Sequence, residues 1–414
     1  MTADRQFAGE PTDTLDVLER YLSPPRAAFY RALGDVPTPS GSDGVFIYHS
    51  DGRDLLDCRS AGGVFNLGHR NPRIRELVTD SLNSVDIGDW LLPSVDRGTA
   101  ARAIAKVLPD PLELVTFGTS GGEAVDMACD LARRHTGRER IVGTDNAYHG
   151  QIGTAELLSQ TGATSTRTVS PQIGVVPFGD IDAALNAVND DVAAFVLEPI
   201  QAAAGLIIPA YEYLQAVRRR CNETGTVLVV DEVQTGLGRT GSMWAIDIFG
   251  VVPDVLVVGK GLSGGVYPIS ACIYTREIGR AISDTPFFRP SSFSGSELGC
   301  RVARSVVETV SDAKFLASVR ECGGLLAHGL NELVKRRPTL FAASRGVGLM
   351  CALELANPDT RMSFVRNCWA KGLLVSPAPN HARAVLMMPP LIITTDQVDL
   401  LLTRLSEAAA LTQG

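Results

Sequence analysis

Lysine is scarce in this sequence of 414 residues: only five of its 38 basic residues are lysine. It has eight cysteines and six histidines, but no C-x-x-C pair and no H-x-x-x-H spacing. Neither a disulfide framework nor a zinc site is therefore expected. The longest uncharged stretch, Gly261 to Thr275, is interrupted by Gly264, Gly265 and Pro268. It falls short of the ~20 apolar residues that a membrane-spanning helix needs. Basic runs stop at three residues, as in Arg218-Arg219-Arg220 and Lys335-Arg336-Arg337, and 46 acidic residues leave a net charge of −8. Nothing here tracks a nucleic-acid backbone. The opening, MTADRQFAGEPTDTLDVLER, is polar and acidic and lacks the apolar core of a signal peptide. A cytoplasmic protein is the expectation.

What the chain does have is length enough for two or three domains and a recurring alternation of elements. Apolar, β-rich runs at 114–117 (LVTF), 193–197 (AAFVL), 226–230 (TVLVV) and 254–258 (DVLVV) are separated by helical patterns. Such runs suit strands buried on both faces, so an α/β fold with a mostly parallel sheet is expected. Glu123, Ala124, Met127, Ala128 and Leu131 recur at helical spacing up to Arg134, and a second helix is expected from about Tyr211 to Glu223. Upstream, GVFIYHSDGRDLLDC alternates around Asp51-Gly52 and reads as a β-hairpin. Beyond about residue 300 long amphipathic helices take over, ending in one from Asp396 to Leu411. The expected division is an N-terminal segment (1–60) that joins a small domain, a large domain (61–304) and a C-terminal small α+β domain (305–414).

Three of the apolar runs end in an ionisable residue: Glu198, Asp231 and, after a glycine, Lys260. In open α/β sheets ligands bind outside the carboxyl ends of the strands, so these side chains should converge on one site. Lys106, Lys314, Lys335 and Lys371 sit at helix ends or in basic runs, whereas Lys260 lies between an apolar run and the glycine-rich GLSGG. Burial there would lower the amine's pKa and make it nucleophilic, which suits Schiff-base chemistry. In VTFGTSGGEAVDMACDLARR a strand is followed by a turn and a helix start, so Ser120, Gly121 and Gly122 offer N–H groups to an anion. The literal G-x-G-x-x-G at 236–241 is followed by SMWAIDIFGVVPD, with no long amphipathic helix to carry a dinucleotide. Those glycines are expected to shape a loop.

With these residues in place, the chain resembles the class III, pyridoxal-phosphate-dependent aminotransferases. The resemblance runs from Asp51-Gly52-Arg53 to Met388-Pro389-Pro390-Leu391. It is carried in order by LGHRNP (67–72), TSGGEA (119–124), TGR (136–138), YHG (148–150), EPI (198–200), DEVQTGLGRTG (231–241), PDVLVVGKGLSGG (253–265) and SFSG (292–295). It implies the aspartate-aminotransferase-like fold, fold type I, with a seven-stranded, mostly parallel sheet, and a homodimer. It further implies that Lys260 forms the Schiff base with pyridoxal phosphate and Asp231 pairs with the pyridine nitrogen. Gln234 would approach the phenolic oxygen, Val233 and Tyr148 would flank the ring, and His149 and Gly150 would shape the turn. Ser120, Gly121 and Gly122 would hold the phosphate, which Ser292 would reach from the neighbouring subunit. Glu198 resembles the site acid that pairs with Gln234 or with a substrate-gating arginine.

Two departures bear on substrate. Gly122 replaces the threonine or alanine of many members, which removes a side chain and keeps the amide. Leu386 stands where glutamate-using members carry an arginine, the natural bidentate clamp for an α-carboxylate. The expected reaction is transfer of an amino group from an amine or amino-acid donor to a carbonyl acceptor, with an amine-type donor favoured and Arg383 the nearest substitute cation. The acceptor could be small, or a peptide or carrier-bound chain, and pocket walls are expected near Val64, Phe65 and Trp90. Racemase, aminomutase and decarboxylase chemistries share the scaffold, because the motifs fix the cofactor rather than the fate of the carbanion.

Overall fold

The structure, a computed structural model, describes residues 14–34, 36–85, 91–159 and 170–413. Trp90 lies outside the described residues. In chain order the strands are β1 (Pro39–Asp43), β2 (Phe46–His49), β3 (Asp54–Asp57), β4 (Leu112–Gly118), β5 (Arg140–Thr144), β6 (Ile173–Val176), β7 (Val192–Leu197) and β8 (Val227–Asp231). They continue with β9 (Val255–Val258), β10 (Ser270–Thr275), β11 (Phe341–Val347), β12 (Met350–Leu355), β13 (Leu373–Leu374), β14 (Ser376–Pro377) and β15 (Ala384–Met387).

A seven-stranded sheet in the order β4-β10-β9-β8-β7-β5-β6 forms the centre. Every residue of β7, β8, β9 and β10 is buried. This is why the sequence shows continuous apolar runs there rather than alternation. β6, β5, β7, β8 and β9 pair in parallel, and β10 runs antiparallel between β9 and β4. The four apolar runs mark β4, β7, β8 and β9; β5, β6 and β10 carry weaker patterns. β10 is the informative case, because its SACIYT lies in the stretch whose preceding glycines read as a breaker.

The helix Gly121–Thr136 begins where a cap is written into the sequence: the Ser120 side chain accepts the Glu123 N–H at 3.2 Å. It ends at Gly137 in the left-handed conformation. Between them Ala124, Val125, Met127, Ala128 and Leu131 are buried against the sheet. The helix Tyr211–Thr224 likewise stops at a left-handed Gly225. β2 and β3 pair antiparallel about a turn in which the Arg53 N–H donates to Asp51 Oδ1. β13 joins β3 in parallel, so the N-terminal hairpin and the C-terminal part share one sheet, β1-β2-β3-β13. A second small sheet, β11-β12-β15-β14, is flanked by the helix Ala313–Arg336. The last helix is Thr395–Leu411. Among the described residues no helix is long and apolar enough to cross a membrane.

The segment 236–241 opens no long helix; it forms a turn-rich loop, followed by a short 3-10 helix, Ala245–Phe249. It carries the fully buried Arg239, whose guanidinium donates to the carbonyls of Leu349 and Pro389 and to Asn66 Oδ1. Burial lowers the Arg239 pKa to about 9, opposed by the charge of Asp57. The glycines therefore let the chain turn tightly where the central sheet meets the C-terminal sheet.

Candidate active site

Because β7, β8 and β9 are adjacent and parallel, their carboxyl ends open on the same edge of the sheet. Glu198 follows β7, Asp231 ends β8, and Lys260 follows β9 after Gly259. Asp231 is buried, with Oδ1 accepting the Val233 N–H at 3.0 Å and Oδ2 accepting from His149 Nδ1 at 2.7 Å. Glu198 Oε1 accepts the Tyr148 N–H at 3.2 Å. Its Oε2 and the His149 Nε2 are buried with no hydrogen-bond partner. The ligand atoms of His149, Glu198 and Asp231 lie within 4.8 Å of one another.

These groups perturb each other in ways that burial and charge explain. Burial pushes the Glu198 carboxyl up to about 7, aided by the negative Asp231 and opposed by His149, Lys260 and the Tyr148 N–H. Burial alone would discharge His149, but its hydrogen bond to Asp231 and the nearby carboxylates raise its pKa instead. The Lys260 amine is drawn down by burial, with Asp231 and Glu198 pulling the other way. A larger neutral fraction makes it a better nucleophile and base.

Lys260 has φ +38, a strained value for a residue with a side chain. It lines a cavity of about 330 Å³ together with Val64, Thr119, Ser120, Gly121 and Tyr267. Two glycines permit the close approaches around it. A Cβ on Gly121 would stand 2.8 Å from Val233 Cγ1, and one on Gly150, at φ +125, would stand 2.5 Å from the Gly122 Cα. A Cβ on Gly62 would be 3.4 Å from Gln234 Nε2 and 3.8 Å from Lys260 Cε, which places Gln234 and Lys260 about one spot.

The aminotransferase class III sequence profile matches residues 36–409. The chain belongs to the class III aminotransferases. It is 38% identical over 397 residues to an uncharacterised aminotransferase of Archaeoglobus fulgidus, covering 96% of this chain and 93% of the relative. Its fold is similar to that of the ornithine aminotransferase from Toxoplasma gondii, with a TM-score of 0.85, 26% identity and coverage of 93% and 94% of the two chains. The acetylornithine aminotransferase from Elizabethkingia anophelis is similar at a TM-score of 0.80 and 26% identity, with 94% and 98% covered. This class III aminotransferase is accordingly a pyridoxal-phosphate-dependent transaminase acting on a small-molecule amino donor and acceptor, on the fold that the sequence pattern implied.

Within the aminotransferase most of the expected site residues meet, and three sit differently. Glu198 does not pair with Gln234: Gln234 Nε2 donates to the Gly62 carbonyl at 3.0 Å and lies 3.6 Å from Met388 Sδ. Glu198 Oε1 accepts instead from the Tyr148 backbone, because β7 and the loop after β5 end side by side, and its Oε2 has no hydrogen-bond partner among the described residues. His149 does more than shape a turn, since it holds Asp231 across 82 residues of sequence. Ser292 is exposed and does not line the Lys260 cavity. Arg383 is ion-paired with Glu354, which also binds Arg345. Of the expected wall residues, Val64 lines the cavity, and Phe65 packs beside His69 and against Gly265. Sequence reasoning did not find Ser270, whose hydroxyl donates to the Ser120 carbonyl at 2.7 Å and ties β10 to the turn before the helix. Nor did it find Met388, which reaches Gln234. Ser270 carries no local signal, and Met388 shows only as the first residue of the segment that closes the family resemblance.

Proposed function

We propose that Lys260 is the residue that carries pyridoxal phosphate and moves the proton in amino transfer. The observation that carries this reading is the convergence of Lys260 with Asp231, Glu198 and His149 at the ends of three adjacent strands, beside a capped helix start. The residues fit the group. Asp231, held by the Val233 N–H and His149, offers a fixed carboxylate to the ring nitrogen. The N–H groups at Ser120, Gly121 and Gly122, at the start of the helix Gly121–Thr136, would receive the phosphate with the helix dipole behind them. Val233, against Gly121, and Tyr148, 39% exposed, would flank the ring, and Gln234 would supply a donor. When bound, the cofactor contributes an aldehyde that condenses with primary amines and a ring that accepts the electron pair released at the donor carbon.

The chain's own part is binding and proton handling. Lys260, in its neutral form, would take the proton from the donor carbon on Nζ and pass it to the carbon that had been the cofactor's aldehyde. Asp231 would face the ring nitrogen as its counter-charge, and His149 holds Asp231 in orientation. Glu198 fixes the Tyr148 backbone at the rim.

The donor is proposed to be an amine or ω-amino compound. Along β15 and just beyond, Ala384, Leu386 and Met388 share one side at the two-residue period of a strand. Ala384 faces Gly205 of the loop after β7, and Met388 reaches Gln234. Ala202, Ala203 and Ala204 of that loop are buried as well. None of these wall residues carries a cation that could clamp an α-carboxylate. The exposed Ser292, beside the exposed Phe293 and Phe287, suits a homodimer in which it completes the neighbouring subunit's phosphate site. A cytoplasmic location and the division at 1–60, 61–304 and 305–414 complete the reading; the pairing of β13 with β3 supports joining the N-terminal hairpin to the C-terminal part.

Borohydride reduction of the reconstituted enzyme, followed by peptide mapping, tests the central claim. The cofactor-derived mass should lie on Lys260 and vanish in Lys260→Ala along with turnover; a label on another lysine, or none, overturns it. A donor panel tests the wall: primary amines should convert the enzyme faster than glutamate does, and the reverse order sinks the amine assignment.

A further inference from the structure

Away from the Lys260 cavity, one corner of the small domain carries unbalanced positive charge. Glu354 of β12 binds both Arg345 of β11 and Arg383, which immediately precedes β15. Arg361, at the start of the helix Arg361–Ala370, donates to the carbonyls of Ala378 and His381 rather than to a carboxylate. Three guanidiniums and one carboxylate leave a net charge of +2. His381 stands among all four groups. Its Nδ1 accepts the backbone N–H groups of Arg383 and Ala384 at 3.2 and 3.1 Å, so the ring proton is on Nε2. Burial and the three arginines lower its pKa against Glu354, so at neutral pH the ring is an uncharged donor. The corner is thus rich in donors, and its single acidic group is already shared between two arginines.

This corner leans on the rim of the active site. The Asn380 N–H donates to the Ala203 carbonyl at 2.9 Å, and Asn380 Nδ2 donates to the Asn146 carbonyl at 2.9 Å. Asn146 is two residues from Tyr148. Arg345 Nη1 donates to the Gly205 carbonyl at 3.3 Å, in the loop that follows Glu198. The Arg383 side chain is 40% exposed and so can meet a solute.

We propose that this corner binds the far, anionic end of an extended substrate, a carboxylate or phosphate carried several bonds from the reacting carbon. Arg383 is the principal contact and His381 Nε2–H a second donor, while Glu354 keeps Arg345. This rests on Lys260 being the reacting centre, because only then does the corner lie at the outer end of the substrate path. It complements the apolar wall at Leu386: the charge is recognised at the rim and excluded next to the reaction.

The test uses the holoenzyme and pairs of aldehyde acceptors of increasing chain length, one of each pair ending in a carboxylate and the other in a methyl group. At one length the wild type should prefer the carboxylate-ended acceptor. Arg383→Ala should lower that preference at least about tenfold, mainly through KM, and Arg383→Lys should keep most of it. Salt at about 0.5 M should erode it. Glutarate and inorganic phosphate, titrated by tryptophan fluorescence, identify which anion the corner takes, since the one that binds should bind more weakly to Arg383→Ala. Absence of preference at every length together with no binding of either probe overturns the proposal. So does an equal loss for both members of a pair, which would make Arg383 a prop of the small domain. Failure of the Lys260 reading is distinguishable, because it appears as a missing label at Lys260 whatever the acceptor.

Discussion

Gly150→Ala is the substitution that probes the proposed phosphate cradle most directly. Gly150 has φ +125, which side-chain-bearing residues rarely adopt, and holding alanine there costs on the order of 1–3 kcal/mol. The new Cβ would lie 2.5 Å from the Gly122 Cα and 3.2 Å from its nitrogen. Ordinary contact begins at 3.4 Å, so backbone must move by about 0.9 Å, and no flexible side chain can yield instead. The part displaced is the first turn of the helix Gly121–Thr136, whose N–H groups are assigned to the cofactor phosphate. A misplacement of about 1 Å near a reacting centre can cost on the order of 100-fold in rate. The expected result is cofactor affinity weakened by at least about tenfold and turnover reduced by about 100-fold, read by cofactor titration and steady-state kinetics. Gly137→Ala, at the other end of the same helix, is the control: φ is +69 and nothing lies within 4 Å of the new Cβ. It should cost about 1 kcal/mol of stability and leave cofactor affinity alone. Wild-type affinity and turnover in Gly150→Ala would refute the placement of the phosphate at this turn.

Two further outcomes follow from the buried charges. Glu232 is fully buried, accepts from Thr235 and the Ile246 N–H, and has its pKa raised to about 7, chiefly by burial. A raised carboxyl pKa means the folded state prefers the proton, so its contribution to stability falls as pH rises from about 4.5 to about 7. Glu232→Gln should flatten the pH dependence of the urea midpoint over that window by about 3 kcal/mol, the equivalent of the shift; an unchanged slope would count against it. His149→Ala leaves the buried Asp231 carboxylate without its partner and should cost about 3–5 kcal/mol. It should also shift the pH titration of the bound cofactor's visible absorbance, because the carboxylate assigned to the ring nitrogen loses the hydrogen bond that orients it. A variant with wild-type stability and an unmoved titration would show that His149 does not hold Asp231.

What was legible in the sequence was local. Continuous apolar runs mark β7, β8 and β9 because strands covered on both faces need apolar side chains in both directions. Ser120 and Gly137 bracket a helix because an N-cap hydroxyl and a left-handed glycine satisfy the helix ends over a few residues. Lys260 stood out because an amine between an apolar run and glycines has few structural uses. β10 was obscured because burial between β9 and β4 tolerates the small and polar residues of SACIYT.

The sequence by itself thus determined the fold class, the three strand-end groups and the cofactor they call for. Tertiary structure alone decided who partners whom. It set His149 against Asp231, turned Glu198 to the Tyr148 backbone, brought Met388 to Gln234 and tied Arg383 to Glu354. Periodicity and capping act over a few residues and are written in composition. A hydrogen bond between groups 82 residues apart depends on which strand ends lie side by side, and only the packed sheet fixes that.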